Sequence, residues 1–323
     1  MKYLRLRTTD PYLNLAIEEY LFLNSQDDIF IIWQNEPTVV IGKNQNAYAE
    51  INRSYLNEHN IKVARRITGG GAVFHDLGNV NYTFISSNRG GIDFEYFTKP
   101  IIEALGNIGL KCQLSGRNDI LADGSKISGN AQYSSNDRVL HHGTLLFDSD
   151  LSVLSSVLHV DKEKISAKAL KSVRSRVSNI KDLIKSNIST SEFIKEIESF
   201  VVSKFSPDII DAPSCREIDE LYKRNSSAQW IYPDREYLSA YNFKIKRRFD
   251  FGIVEISMRI ASEIIRSVSI TGDFFELRDI KEAEDSLIGV KLCDNFVSSL
   301  NIDIGDYING MTNYQLESLI LDR

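Results

Sequence analysis

Arg65-Arg66-Ile67-Thr68-Gly69-Gly70-Gly71-Ala72-Val73-Phe74-His75-Asp76-Leu77-Gly78-Asn79 is the stretch on which the reading of this chain turns. It joins a short apolar run at 61–64 to a longer one at 79–86, and both runs read as strands. Three consecutive glycines allow positive φ and, lacking Cβ atoms, let the backbone approach a ligand closely. The paired arginines supply fixed donors suited to a carboxylate or a phosphate. Neither common phosphate motif fits. No Lys-Ser/Thr follows, as a P-loop requires, and the sixth position of a G-x-G-x-x-G pattern begun at Gly69 is Phe74. Taken alone, the segment reads equally well as a turn between strands.

Working upstream, Asp10-Pro11 reads as a helix cap and first helical residue. Leu13, Ala16, Ile17, Tyr20 and Leu21 then keep the spacing of one buried helical face. Residues 28–33 and 38–41 read as strands, and 49–58 as a helix. Downstream, Phe97, Ile101, Ile102, Leu105 and Ile108 have helical spacing, with Gly109 as the stop. Asp123-Gly124 predicts a two-residue hairpin, which puts Lys126 at the start of the returning strand. A lysine there is ordinarily only solvated.

Residues 139–147 form a further expected strand containing His141-His142-Gly143. Neighbouring strand residues face opposite ways, so the two histidines cannot share a metal, and His142 reads as a pocket wall. Helices are expected at 151–158, 191–204 and 216–224, and an irregular aromatic stretch at 230–241. A second strand-rich unit begins near Lys246, with helices after Asp279.

The 323 residues are enough for about two domains at roughly 150 residues each. A net charge of −6 gives no footing for a nucleic acid. Residues 161–186 run against that sign, with eight Lys/Arg to three acids. Cys112, Cys215 and Cys293 stand far apart, which excludes a disulfide framework or a zinc cluster. No signal-peptide core follows Met1, and no run nears the ~18 apolar residues of a membrane span. A cytoplasmic protein is expected.

The segments at 65–79, 116–132 (with Asn118-Asp119-Ile120-Leu121 and Lys126-Ile127-Ser128-Gly129-Asn130-Ala131-Gln132) and 141–146 carry a resemblance together. In this order and spacing they resemble the lipoate–protein ligase family, in its form with a C-terminal accessory domain. The likeness runs from Leu13 to Ile184 and resumes at Trp230 and at Arg248-Phe249-Asp250-Phe251-Gly252. It implies an α+β fold. A mixed-sheet catalytic core like that of biotin ligases and class II tRNA synthetases would fill 1–243, and a small α/β accessory domain 244–323.

The resemblance also implies a reaction. Lipoate and ATP, with Mg²⁺, would give lipoyl-AMP, whose acyl group passes to an acceptor lysine. The acceptors would be apo lipoyl domains of 2-oxoacid dehydrogenase acyltransferase subunits, or the glycine cleavage H protein, and the enzyme a monomer. By motif match Lys126 is the catalytic cation, contacting acyl carbonyl and α-phosphate, and Arg66 holds the lipoate carboxylate or the phosphate. Gly71, Ala72, Val73 and Phe74 would take the adenine, Asn79 the triphosphate, and Asp119 the metal. Gly70, His75 and His142 would wall the lipoyl slot. Asp76 and Asn118 could serve there or merely cap turns. The basic segment resembles the family's nucleotide-covering loop around 167–177 and is a candidate cap that also meets an acidic acceptor.

Rival readings differ in chemistry. An octanoyltransferase needs a cysteine nucleophile, and no cysteine falls between Cys112 and Cys215. A lipoyltransferase using preformed lipoyl-nucleotide passes that test. Biotin ligases carry a different glycine/arginine loop, and a non-enzymatic regulator would need a reader element that the chain lacks.

Overall fold

The first helix starts where its cap stands. In the computed structural model, which describes residues 1–88, 90–135, 137–158, 177–184, 186–233, 241–294 and 296–321, the Asp10 carboxylate accepts from the N–H groups of Tyr12 and Leu13. Pro11 then opens α1 (Pro11–Asn24). β1 (Lys2–Arg5) precedes it, and β2 (Ile29–Trp33) and β3 (Thr38–Ile41) follow. The single helix expected at 49–58 is instead two, α2 (Ala47–Glu50) and α3 (Arg53–Glu58). Asn46 and Asn52 each cap one with a side-chain oxygen, and the fully buried Ile51 between them bridges to Leu158. Asparagine competes for backbone N–H groups, so it restarts a helix more readily than it continues one.

β4 (Lys62–Arg65), β5 (Val73–His75) and β6 (Asn79–Ser87) flank the glycine loop, and α4 (Phe94–Asn107) comes next. β7 (Cys112–Ser115) and β8 (Asp119–Ala122) lead to the predicted hairpin. Its φ values of 48° at Asp123 and 76° at Gly124 are those of a type I′ turn. β9 (Ser125–Ser135) and β10 (Arg138–Leu146) complete this run. α5 (Leu151–Val157), α6 (Ile180–Ile184), α7 (Thr190–Phe205), β11 (Asp208–Ile210), α8 (Arg216–Asn225) and α9 (Ala228–Ile231) follow. α9 lies partly in the stretch expected to be irregular, where the Ser227 side chain caps one helical turn. The cap expected at 167–177 falls, but for Val177, outside the described residues.

The main sheet has the order β11-β1-β2-β6-β10-β9-β8-β7, parallel through β11, β1 and β2 and antiparallel beyond. Phe97, Ile101 and Leu105 of α4 join Phe193 and Ile197 of α7 in one core cluster with residues of this sheet. Leu15 and Phe22 of α1 and Ile218 of α8 join a second. A smaller sheet, β4-β3-β5, carries the glycine loop between β4 and β5.

The C-terminal part forms its own antiparallel sheet of β12 (Phe243–Phe249), β13 (Gly252–Ala261) and β14 (Ile264–Gly272). With α10 (Ile280–Leu287) and α11 (Asn313–Ile320) it encloses a separate core that includes Val254, Ile256, Phe274 and Leu316. β12 starts before the expected Lys246, since Phe243 and Ile245 pack inward between exposed lysines. The whole is α+β, as expected.

Candidate functional site

A cavity of about 360 Å³ is walled by the glycine loop, β8, β9, β10 and the C-terminal sheet. Gly70, Gly71, Ala72, Val73, Arg66, His75, Asp119, Lys126 and His142 all line it, so most residues singled out in the sequence converge. Two do not. Phe74 packs instead with Val39, Ile41 and Val63 of the small sheet, because it alternates with Val73 and His75 along β5. Asn79 is fully buried behind the wall, where it donates to Asn81 Oδ1 at 2.9 Å, and Asn81 is the residue that reaches the cavity. Asp76 caps its turn, accepting from the N–H groups of Gly78 and Asn79. Asn118 lines the cavity while bonding the Asn130 backbone.

The three glycines serve three needs. Gly70 has φ of +89°. A Cβ on Gly69 would stand 2.3 Å from the Phe274 carbonyl oxygen, so only glycine lets the C-terminal unit approach. Gly71 opens on the cavity, with nothing but Asp273 Cβ at 4.0 Å from where its own Cβ would be.

The two arginines are committed to the backbone, which sequence reasoning did not foresee. Arg65 donates to the carbonyls of Gly42, Lys43, Gln45, Trp230 and Ile231 and does not line the cavity. Arg66 gives Nη2 hydrogens to Gly69 O and Gly71 O at 2.8 Å each, Nη1 to Val40 O, and Nε to Thr68 Oγ1. It therefore fixes the loop before it meets any ligand. Burial pulls its guanidinium down to about 10, with the Glu18 carboxylate opposing, so it remains a cation at neutral pH.

His141 and His142 do face opposite ways. His141 stacks on Phe97 at 5.0 Å, and burial holds its imidazole neutral. His142 faces the cavity. His75 is pulled down to about 3 by burial, with Arg66 and His142 adding to it. Its Nδ1 meets the Asn35 amide at 3.1 Å, which leaves the ring hydrogen on Nε2.

Lys126 Nζ lies 2.7 Å from Asp119 Oδ1, each side chain about one-third exposed. The β8–β9 hairpin sets this pair, and Val177 and Ser178 pair with the Lys126 backbone from the far side of the basic segment. Oxygen donors suit Mg²⁺: the carboxylates of Asp119 and Asp273 line the cavity with the amides of Asn118 and Asn130. Among the described residues no group of three or more His/Cys/Asp/Glu could hold an ion alone.

The C-terminal unit closes the cavity with Arg248, Phe249 and Asp273. Arg117 donates to Phe251 O, Gly70 N–H to Phe274 O, and Phe275 packs on Phe94 and Ala131. Glu276, 3% exposed, pairs with Lys43 and accepts from Asn44 Nδ2 at 3.0 Å. Burial pushes the Glu276 carboxyl up, against the pull of Lys43 and Asn44. A carboxyl raised in the fold contributes stability below its ordinary value and loses it as pH rises through the raised one. Lys43→Met removes the partner that softens this loss. We expect it to lower stability by about 3–5 kcal/mol, increasingly as pH climbs above 4.5. Urea titrations at a series of pH values check this, and a pH-independent difference would contradict it.

No cysteine lines the cavity, and burial pushes the Cys112 thiol up to about 11, the wrong direction for a nucleophile.

Residues 10–201 match the family described as lipoyl protein ligase A/B catalytic domain, and residues 239–320 that described as bacterial lipoate protein ligase C-terminus. The chain is 36% identical over 322 residues to the lipoate-protein ligase LplJ of Bacillus subtilis, covering 96% of this chain and 97% of that one. Its fold is similar to that of P. falciparum LipL1 in complex with lipoate, at TM-score 0.83 and 25% identity over the whole of both chains. A lipoate-protein ligase A bound with ATP aligns at TM-score 0.60 and 26% identity, over 72% of this chain and 98% of that one. A bipartite ligase from Thermoplasma acidophilum, described with its E2 lipoyl domain, aligns at 0.62 and 28%, over 72% and 95%.

Proposed function

Because the chain belongs to the lipoate–protein ligase family, we infer that its cavity activates lipoate with ATP and passes the lipoyl group to an acceptor lysine. The observation that carries this reading is the convergence of Lys126, Arg66, His75, His142 and the glycine loop on one cavity. We take residues 1–243 to perform the chemistry and 244–323 to close over it. Lipoyl domains of 2-oxoacid dehydrogenases and the glycine cleavage H protein are the acceptors proposed, with the enzyme a monomer. Among the described residues no helix is long and apolar enough to cross a membrane.

The physics follows from charge. A carboxylate is already ionised at neutral pH, so attack on the α-phosphate needs no base. It needs two anions brought together, at about 4 kcal/mol for unit charges 4 Å apart at an effective dielectric near 20. Lys126 stands at the cavity wall to neutralise both, and it would stabilise the charge that develops between acyl oxygen and phosphate. Asp119 orients that ammonium and would hold Mg²⁺, which when bound screens the triphosphate. Arg66 keeps Gly69 to Gly71 in shape, so that the Ala72 and Val73 backbone can meet the adenine. The apolar walls Leu15, Trp33 and Val40, with His75 and His142, suit an eight-carbon acyl tail.

An apolar slot separates analogues of similar length by only ~1–3 kcal/mol. Octanoate should therefore be ligated too, with kcat/KM lower by about 10–100-fold. The test is to incubate enzyme, ATP and an apo lipoyl domain with either acid and weigh the acceptor. Gain of one lipoyl or one octanoyl group is expected. No lipoyl gain would overturn the reading, and no octanoyl gain at millimolar acid would require specific contacts to the dithiolane.

A further inference from the structure

Behind the cavity wall, one buried carboxylate ends two hydrogen-bond chains that begin on groups facing the cavity. Glu18 of α1 is 2% exposed and does not itself line the cavity. Its Oε1 accepts from the Thr83 hydroxyl at 2.5 Å, and Thr83 Oγ1 accepts from Trp33 Nε1 at 3.0 Å. His142 Nδ1 lies 3.1 and 3.2 Å from the two Glu18 oxygens. On its other side His142 Nε2 is 2.9 Å from Thr68 Oγ1, which accepts from Arg66 Nε at 2.9 Å.

The donors available settle where each proton lies. Guanidinium and indole N–H groups can only donate. The Glu18 carboxylate can only accept, so the Thr83 proton and a His142 Nδ1 hydrogen point to it. Thr68 accepts from Arg66 and has His142 Nε2 as its other partner, to which it turns its proton. Thr83 gives its proton to Glu18, and Thr68 gives its own to His142 Nε2. That nitrogen is then an acceptor, and the ring hydrogen sits on Nδ1, aimed at Glu18.

We propose that Glu18 is a positioning residue that sets the tautomer and orientation of His142 and holds Trp33 and Arg66 in the wall that receives the acyl substrate. The proposal rests on reading this cavity as the lipoate site. Carboxylate, imidazole and hydroxyl follow one another here in the connectivity of a nucleophilic triad. Thr68, however, is fully buried and absent from the cavity walls, so its hydroxyl is not presented to a substrate. The chain acts by fixing the wall, as partners behind a ligating histidine fix its ring. Lys126 and Asp119 take no part in it, and the glycine loop is reached only at the far end of the chain, through Thr68 and Arg66.

The test combines spectra with kinetics. In protein labelled with ¹⁵N-histidine, two-bond proton–nitrogen correlations should show His142 protonated on Nδ1. Glu18→Ala should abolish that preference and raise KM for lipoate about tenfold, the effect of one buried donor left unpaired, with a smaller change in KM for ATP, which Glu18 reaches only through Thr68 and Arg66. Glu18→Gln keeps an oxygen where Oε1 stands, able to accept from both Thr83 and His142. It should retain the Nδ1–H form and return KM for lipoate to within about threefold of the parent. Protonation of the parent ring on Nε2 would overturn the proposal, as would an alanine variant with spectrum and both KM values unchanged. If the alanine variant does not fold, the parent and glutamine spectra decide alone. These spectra need no lipoate, so a parent protein without lipoate turnover would count against the lipoate reading and leave the assignment of Glu18 standing.

Discussion

Lys126→Ala is expected to lower lipoate-dependent pyrophosphate release by about 10²–10³-fold, the loss that follows removal of one preorganised charge-stabilising donor. The fold should survive it. The side chain is one-third exposed and its ion pair to Asp119 is of the isolated, solvent-screened kind, contributing about 0–1 kcal/mol. The β8–β9 hairpin is held by its backbone ladder and by the type I′ turn, neither of which involves the ammonium. Pre-steady-state pyrophosphate release, with a thermal melt on the same sample, separates the two effects. Release near the parent rate in a folded Lys126→Ala protein would remove Lys126 from the chemistry.

The second large effect concerns stability. Arg65→Ala should cost about 3–5 kcal/mol, because five backbone carbonyls, three of them in buried bonds, lose a common donor at once. These carbonyls belong to two separate segments, 42–45 and 230–231, and Trp230 returns a bond from its indole to Arg65 O at 3.0 Å. The guanidinium therefore ties the stretch before the C-terminal unit to the small sheet. Arg65→Lys should recover little of the loss, since an ammonium on a flexible stem cannot reproduce the fork. Urea unfolding of the two variants measures both effects. A loss below about 1 kcal/mol in the alanine variant would show that water replaces the guanidinium there.

Local signals were legible in the sequence because each is decided within a few residues. Asp10-Pro11 and the spacing from Leu13 to Leu21 predict α1, and Asp123-Gly124 predicts the hairpin that delivers Lys126. The convergence of the glycine loop, Lys126 and His142 was readable from three motifs taken together. What the motifs do not show is direction and depth. Phe74 follows Val73 in the motif, but its side chain faces the other way, as alternate strand residues do. Asn79 and Asn81 share a face of β6, but only Asn81 reaches the cavity.

Arg65 and Arg66 looked like ligand donors, whereas the tight loop they flank has carbonyls that must be satisfied first. Glu18 gave no signal at all. A glutamate inside a helix is ordinarily solvated, and its partners Thr83 and His142 lie 65 and 124 residues away. The seam with the C-terminal unit is likewise long-range: Lys43 and Glu276 are 233 residues apart. No local pattern announces such a pair.

The reaction proposed requires this chain itself to make the acyl-adenylate. ATP–pyrophosphate exchange, followed in the absence of any acceptor protein, tests that most directly. Exchange is expected that requires lipoate and Mg²⁺ and that disappears in Lys126→Ala. If the parent protein shows no lipoate-dependent exchange yet still lipoylates an apo lipoyl domain from preformed lipoyl-AMP, it is a transferase and not a ligase.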